Sequence, residues 1–143
     1  MSADWRRPLR DPIRRIVVPA LLATLLAPAA ADACRCVPRS PTALARAADA
    51  IVVAEAIGID DRDPAGRSYR LRVTSSWKTR LEGPLVVRSD ATTCQAELVV
   101  GHRYLVYLKR AGGGYWTDAC SGNLPIGQAA PAMAVLGRAT TRR

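Results

Sequence analysis

Two cysteines one residue apart, Cys34 and Cys36, followed by two isolated ones at Cys94 and Cys120, constrain this chain more than any other feature. A bond between Cys34 and Cys36 would close a very small ring against the geometry that disulfides prefer, so each is expected to reach a distant partner. Two connectivities remain: Cys34 with Cys94 and Cys36 with Cys120, or Cys34 with Cys120 and Cys36 with Cys94. A zinc site is the competing use of four cysteines, but its usual signature is a pair of Cys-x2-Cys motifs, which this spacing does not match.

The cysteines directly follow an export signal. Residues 1–15 are Arg-rich, residues 16–30 are apolar apart from Thr24, and Ala-x-Ala sites end at Ala29, Ala31 and Ala33. That order is the tripartite shape of a secretory signal peptide. The apolar stretch is short for a bilayer span, and Pro19 and Pro28 interrupt it. Cleavage after Ala33 is expected, with Ala29 and Ala31 as alternative sites, and it makes Cys34 the first residue of an exported, extracellular or periplasmic protein. Bacterial lipidation of Cys34 fits less well, because Ala31 stands where such signals carry Leu. It would also remove the free amine.

Cutting after Ala33 leaves 110 of the 143 residues, enough for one small domain whose limited core suits disulfide reinforcement. The leader holds five arginines against three aspartates, so the domain keeps +7 of the +9 net charge. The cations are scattered rather than clustered, which reads as a solvated surface.

Beyond the cysteines, Ser40-Pro41 reads as a helix start, with Ser as N-cap and Pro at the first helical position, and the helix runs to Ala48. Ala50–Ile57 is β-branched and apolar, as a largely buried strand would be. A polar turn over Asp60–Arg67 leads into Ser68–Trp77, where Tyr69, Leu71 and Val73 alternate with Arg70, Arg72 and Thr74 at strand period. Further strands are expected at Leu85–Arg88, Arg103–Lys109 and Tyr115–Thr117. In the fourth, Tyr104, Val106 and Leu108 oppose Leu105 and Tyr107, so both faces are apolar. Gln128–Leu136 reads as a closing helix with Pro131 in its first turn, and residues 138–143 as a basic, disordered tail. The fold class is mainly β, a five-stranded barrel of the oligonucleotide- or oligosaccharide-binding type with short flanking helices. Periodicity alone does not separate such a barrel from a sandwich.

The order of motifs is more specific than any one of them. Cys34-Arg35-Cys36-Val37-Pro38 comes first, then Ala48-Asp49-Ala50-Ile51-Val52-Val53 and Trp77-Lys78. The isolated Cys94, Gly101-His102-Arg103-Tyr104-Leu105-Val106-Tyr107 and Cys120-Ser121-Gly122 follow. This series resembles the netrin-like module of the tissue inhibitors of metalloproteinases, in a small, single-domain, bacterial form, over residues 34–137. The resemblance implies a five-stranded barrel and selects Cys34 with Cys94 and Cys36 with Cys120. Each of those bonds closes a loop long enough to contribute about 4 kcal/mol in the chain-entropy model.

The resemblance also implies a mechanism. In those inhibitors the amino-terminal cysteine sits over the protease's zinc and replaces the hydrolytic water with its α-amine and carbonyl oxygen. Catalytic zinc keeps an open position, and an α-amine of pKa about 8 loses its proton readily beside a dication. The inhibitory wedge implied here is Cys34, Arg35 and Cys36, with Cys34 the only metal-contacting residue, toward the target's zinc. Arg35 stands where the animal inhibitors carry a small hydroxylated or apolar residue. It implies a different target, or a scaffold domain of the same fold without inhibitory contact.

Other functions have weaker support. Among the aromatics, Trp77 and Trp116 read as core or rim residues. His102, the only histidine, reads as a loop residue, and Asp60, Asp61 and Asp63 as a solvated turn rather than a calcium loop. Nucleic-acid binding is disfavoured by the export signal, the absence of Phe and the scattered arginines. An enzyme is disfavoured because no nucleophile and base can be nominated. No cofactor is expected, no membrane contact once the signal is removed, and a monomer is the expected state. The expected partner is a zinc metalloendopeptidase.

Overall fold

The computed structural model of this chain describes residues 34–142. The signal-peptide expectation, with its alternative cleavage sites, falls on residues 1–33 and so lies outside the described residues.

Helix α1 spans Pro41–Ala47, with the Ser40 hydroxyl accepting from the Ala43 amide at its start. Strands β1 (Ala50–Asp60), β2 (Gly66–Trp77), β3 (Gly83–Asp90), β4 (Arg103–Ala111) and β5 (Gly114–Trp116) follow. The two-residue strand β6 (Leu124–Pro125) leads through a 3₁₀ turn at Ile126–Gln128 into helix α2 (Ala130–Leu136), and β7 is Thr141–Arg142. Strand β1 pairs antiparallel with β2 and with β4, β2 antiparallel with β3, β3 parallel with β5, and β5 antiparallel with β4. Five strands thus close into a ring, so the chain is mainly β.

Ring closure explains why β1 and β4 are apolar on both faces. Val52, Ala54 and Ala56 of β1 and Tyr104, Val106 and Leu108 of β4 point inward, joining Tyr69, Leu71, Val73 and Val87 in the ring interior. The alternate residues Ile51, Val53, Leu105 and Tyr107 point outward beneath α1 and α2, where Ala48, Trp77, Ala129 and Ala132 complete a second core. A strand covered by the interior on one side and by helices on the other has no solvent face, and its sequence loses alternation. Strand β2, covered on one side, keeps it. The β1–β2 register shifts twice, between Val53 and Ala54 and between Ala56 and Gly58. Such bulges bend a strand and let a short ring close.

The first four strands read from sequence lie within β1–β4, and β1, β2 and β3 run longer than the apolar pattern, as at Gly66 opposite Asp90. The fifth is shifted by one residue, with Thr117 outside β5, and the helices are shorter than expected, ending at Ala47 and beginning at Ala130 after a 3₁₀ turn. The tail departs from the expectation of disorder. The Thr140 amide donates to the Ser76 carbonyl at 2.7 Å, and Thr141 and Arg142 pair with Ser76 and Ser75. Strand β3 begins opposite Val73 and leaves that end of β2 unpaired, so the backbone groups there are available to the tail.

Candidate functional site

Residues 34–39 follow no helix or strand, and all but half-buried Cys34 are exposed. Val37 retains 77% of its accessible surface. What holds this segment is covalent: Cys34 is bonded to Cys94 and Cys36 to Cys120, with Cα separations of 5.0 and 5.1 Å. Spacing alone left two pairings open, and these are the ones the ring brings together.

The two anchors form one platform. Cys94 lies in the turn after β3, where its amide donates to the Thr92 hydroxyl. Its carbonyl accepts from the Ala119 amide at 2.8 Å, and Gln95 bridges to Asp118. The Cys120 loop is organised by its own side chains. Ser121 Oγ donates to Asp118 Oδ1 at 2.8 Å and accepts from the Asp118 amide. Buried Thr117 donates its hydroxyl to the Tyr107 carbonyl at 2.9 Å and accepts from Asn123 Nδ2, while Asn123 Oδ1 accepts from the Tyr107 amide. These side chains stand in for a neighbouring strand in the gap that β5 and β6 leave along β4, so the loop is tied to the ring.

Helix α1 carries the chain away from the clamp and is fixed at both ends. Its last carbonyls accept from Lys78 Nζ, at 2.9 Å from Ala45 O and 3.3 Å from Arg46 O, with Ala48 O as a further partner. A cation suits that end of a helix, where unpaired carbonyls concentrate negative potential. Lys78 has φ of 67°, which non-glycine residues adopt at a cost. On the other side α1 rests on the Cys120 loop, where Gly122 has φ of 91° and a Cβ would come 2.5 Å from Leu44 Cδ1. Only glycine fits there.

The sulfurs of the two disulfides touch, with Cys34 Sγ 3.4 Å from Cys120 Sγ and 3.8 Å from Cys36 Sγ. The group could suggest a metal centre, since the three lie within 4.8 Å of one another. All four sulfurs are oxidised, however, and lack the thiolate charge that binds zinc. Beneath the clamp a cavity of about 40 Å³ is lined by Arg39, Leu44, Lys109, Asp118, Cys120 and Tyr107, among others. The buried Tyr107 hydroxyl has no hydrogen-bond partner among the described residues, and burial raises its pKa above the ordinary tyrosine value.

Of the remaining sequence candidates, Trp77 is buried with Nε1 donating to the Gly137 carbonyl, and Trp116 is half-buried with Lys109 Nζ 5.7 Å from its ring centroid. His102 is exposed in the turn before β4. Asp61 is exposed, and the other two aspartates are occupied locally. Asp60 takes Arg62, whose side-chain and backbone hydrogen bonds hold its carboxyl well below the usual range, and Asp63 takes Arg88 and the Ala65 amide. The contacts of Lys78, named only within Trp77-Lys78, and of Asp118 and Asn123 escaped the sequence reading. Their roles depend on distant segments meeting, and only the turn composition around Ser121-Gly122-Asn123 hinted at them.

No family model matches this chain, and no curated protein matches it either. Among the described residues, no helix is long and apolar enough to cross a membrane. Fold and site together define the class as a disulfide-braced, mainly β domain with a covalently held, exposed segment at its rim.

Proposed function

We propose that this chain is an exported, netrin-like inhibitor of zinc metalloendopeptidases with an oligonucleotide-binding type of barrel. Processing after Ala33 gives Cys34 the free α-amine that, with its carbonyl oxygen, binds the target's zinc. One observation carries the reading. Cys34 and Cys36 are both bonded to a platform that is itself hydrogen-bonded, so the exposed residue between them has little conformational freedom left to lose on binding. The Cys34 sulfur is committed to its disulfide, which leaves the backbone groups as the ligands. Arg35 is exposed, and its guanidinium has no partner among the described residues. A target must therefore offer carboxylates beside its zinc.

Arg35 also favours a second reading, an exported interaction domain that keeps the clamp without inhibiting. Two measurements separate them. N-terminal sequencing of the exported protein is expected to start at Cys34, and a start at Ala30 or Asp32, or an acylated cysteine, rules out zinc chelation. Adding one glycine before Cys34 is expected to lower inhibition at least a hundredfold across a metallopeptidase panel, because the amine becomes an amide. Equal inhibition by both forms defeats the mechanism, and no inhibition by the native form supports the interaction domain.

A further inference from the structure

A second concave surface lies apart from the clamp, between the β1–β2 end of the ring and the chain that leaves α2. The cleft measures about 960 Å³, at the upper end of small-ligand sites. Its wall includes Val53, Trp77, Ile126 and Met133, and its two cations are Arg103 and Arg138. The indole of Trp77, bonded to the Gly137 carbonyl, holds the wall together where the chain turns away from α2.

The charge balance is one-sided. Both arginines are exposed, and among the described residues neither has an ion-pair or hydrogen-bond partner and no carboxylate lines the cleft. The nearest acid in the register is Glu55, opposite Arg103 across the β1–β4 pair. Its carboxylate turns to Arg72, 3.2 Å away, which leaves Arg103 uncompensated. The partly exposed Ile126 and Met133, backed by buried Val53 and Trp77, share the cleft with two unpaired guanidinium groups, which is complementary to a molecule with an apolar body and an anionic end.

We infer that this cleft binds a single-chain amphipathic carboxylate, its chain over Ile126 and Met133 and its headgroup on Arg103 and Arg138. The site is independent of Cys34 and of inhibition.

Calorimetric titration of the purified, disulfide-intact protein with monomeric dodecanoate at low ionic strength is expected to show saturable one-to-one binding. Acetate, which lacks the chain, and dodecyltrimethylammonium, which reverses the charge, are expected to bind at least about tenfold more weakly. Arg103→Gln/Arg138→Gln is expected to weaken dodecanoate roughly tenfold without moving the unfolding midpoint, since both side chains are exposed. Met133→Glu places a carboxylate in the wall and is expected to abolish dodecanoate binding while sparing the ammonium compound. Equal affinity for the two dodecyl compounds, unchanged affinity in the double arginine variant, or heat only with anionic vesicles would overturn the inference.

Discussion

Around Val52, Leu71 and Val106 each position is set by burial, whereas residues 34–39 at the rim bury little and are set by two covalent bonds. The ring side chains lock one another through close packing, so the cost of disturbing one spreads through the interior. The rim segment has no such neighbours. Its geometry comes from the Cys94 and Cys120 turns, which take theirs from Ala119, Asp118, Thr117 and Asn123. On the proposed function the rim docks into a partner and so cannot be buried in its own protein, and bonds that restrict it without covering it resolve that conflict.

The comparison is broken most directly by removing a clamp bond. Cys36→Ser/Cys120→Ser opens a crosslink with a sequence separation of 84, and urea unfolding is expected to show a loss of about 4 kcal/mol. The ring should still unfold cooperatively, while hydrogen exchange at residues 35–39 accelerates. A non-cooperative transition would instead mean that the ring itself depends on the clamp.

The converse variant, Leu71→Ala, empties a fully buried position in the ring interior and is expected to cost about 3 kcal/mol. It should leave both disulfides formed, as thiol counting would show, and, on the proposed function, leave inhibition by the folded fraction unchanged. Lost inhibition at full occupancy of the native state would show that packing, not the clamp, positions the rim.

The smallest effect sharpens the boundary between the two regions, where Tyr107 lies under the clamp with an unpartnered hydroxyl. Tyr107→Phe is expected to change stability by less than about 1 kcal/mol at neutral pH, toward greater stability, because no hydrogen bond is lost. Its clearer signature is alkaline. Burial raises the folded-state pKa above the unfolded value near 10, so the protein is fully stabilised below that value and loses stability as pH rises through it toward the folded pKa. The Phe variant should have a flatter alkaline limb in thermal unfolding, and an unchanged limb would mean that Tyr107 does not titrate with unfolding.

Much of the ring was legible because its signals are local. The alternation of Tyr69, Leu71 and Val73 and the double apolar face of Tyr104–Leu108 name strands within a few residues, and Ser40-Pro41 names a helix start by the same local chemistry. A two-residue strand carries no period, which is why pairing of Thr141 and Arg142 with β2 was invisible and the tail read as disordered. The Trp77–Met133 cleft was equally hidden, since its wall joins β1, β2 and α2.

By itself the sequence determined that Cys34 and Cys36 must reach away from each other, and that Arg35 must sit between two tethers. Which turn each tether reaches was decided only when the ring closed. Strand β5 pairs with both β3 and β4, and the Gln95–Asp118 bridge joins the turns that carry Cys94 and Cys120. Neighbours along the chain determine a strand's period and a cap's chemistry. Whether two turns more than twenty residues apart meet depends on how all five strands pair, and no short window of residues contains that information.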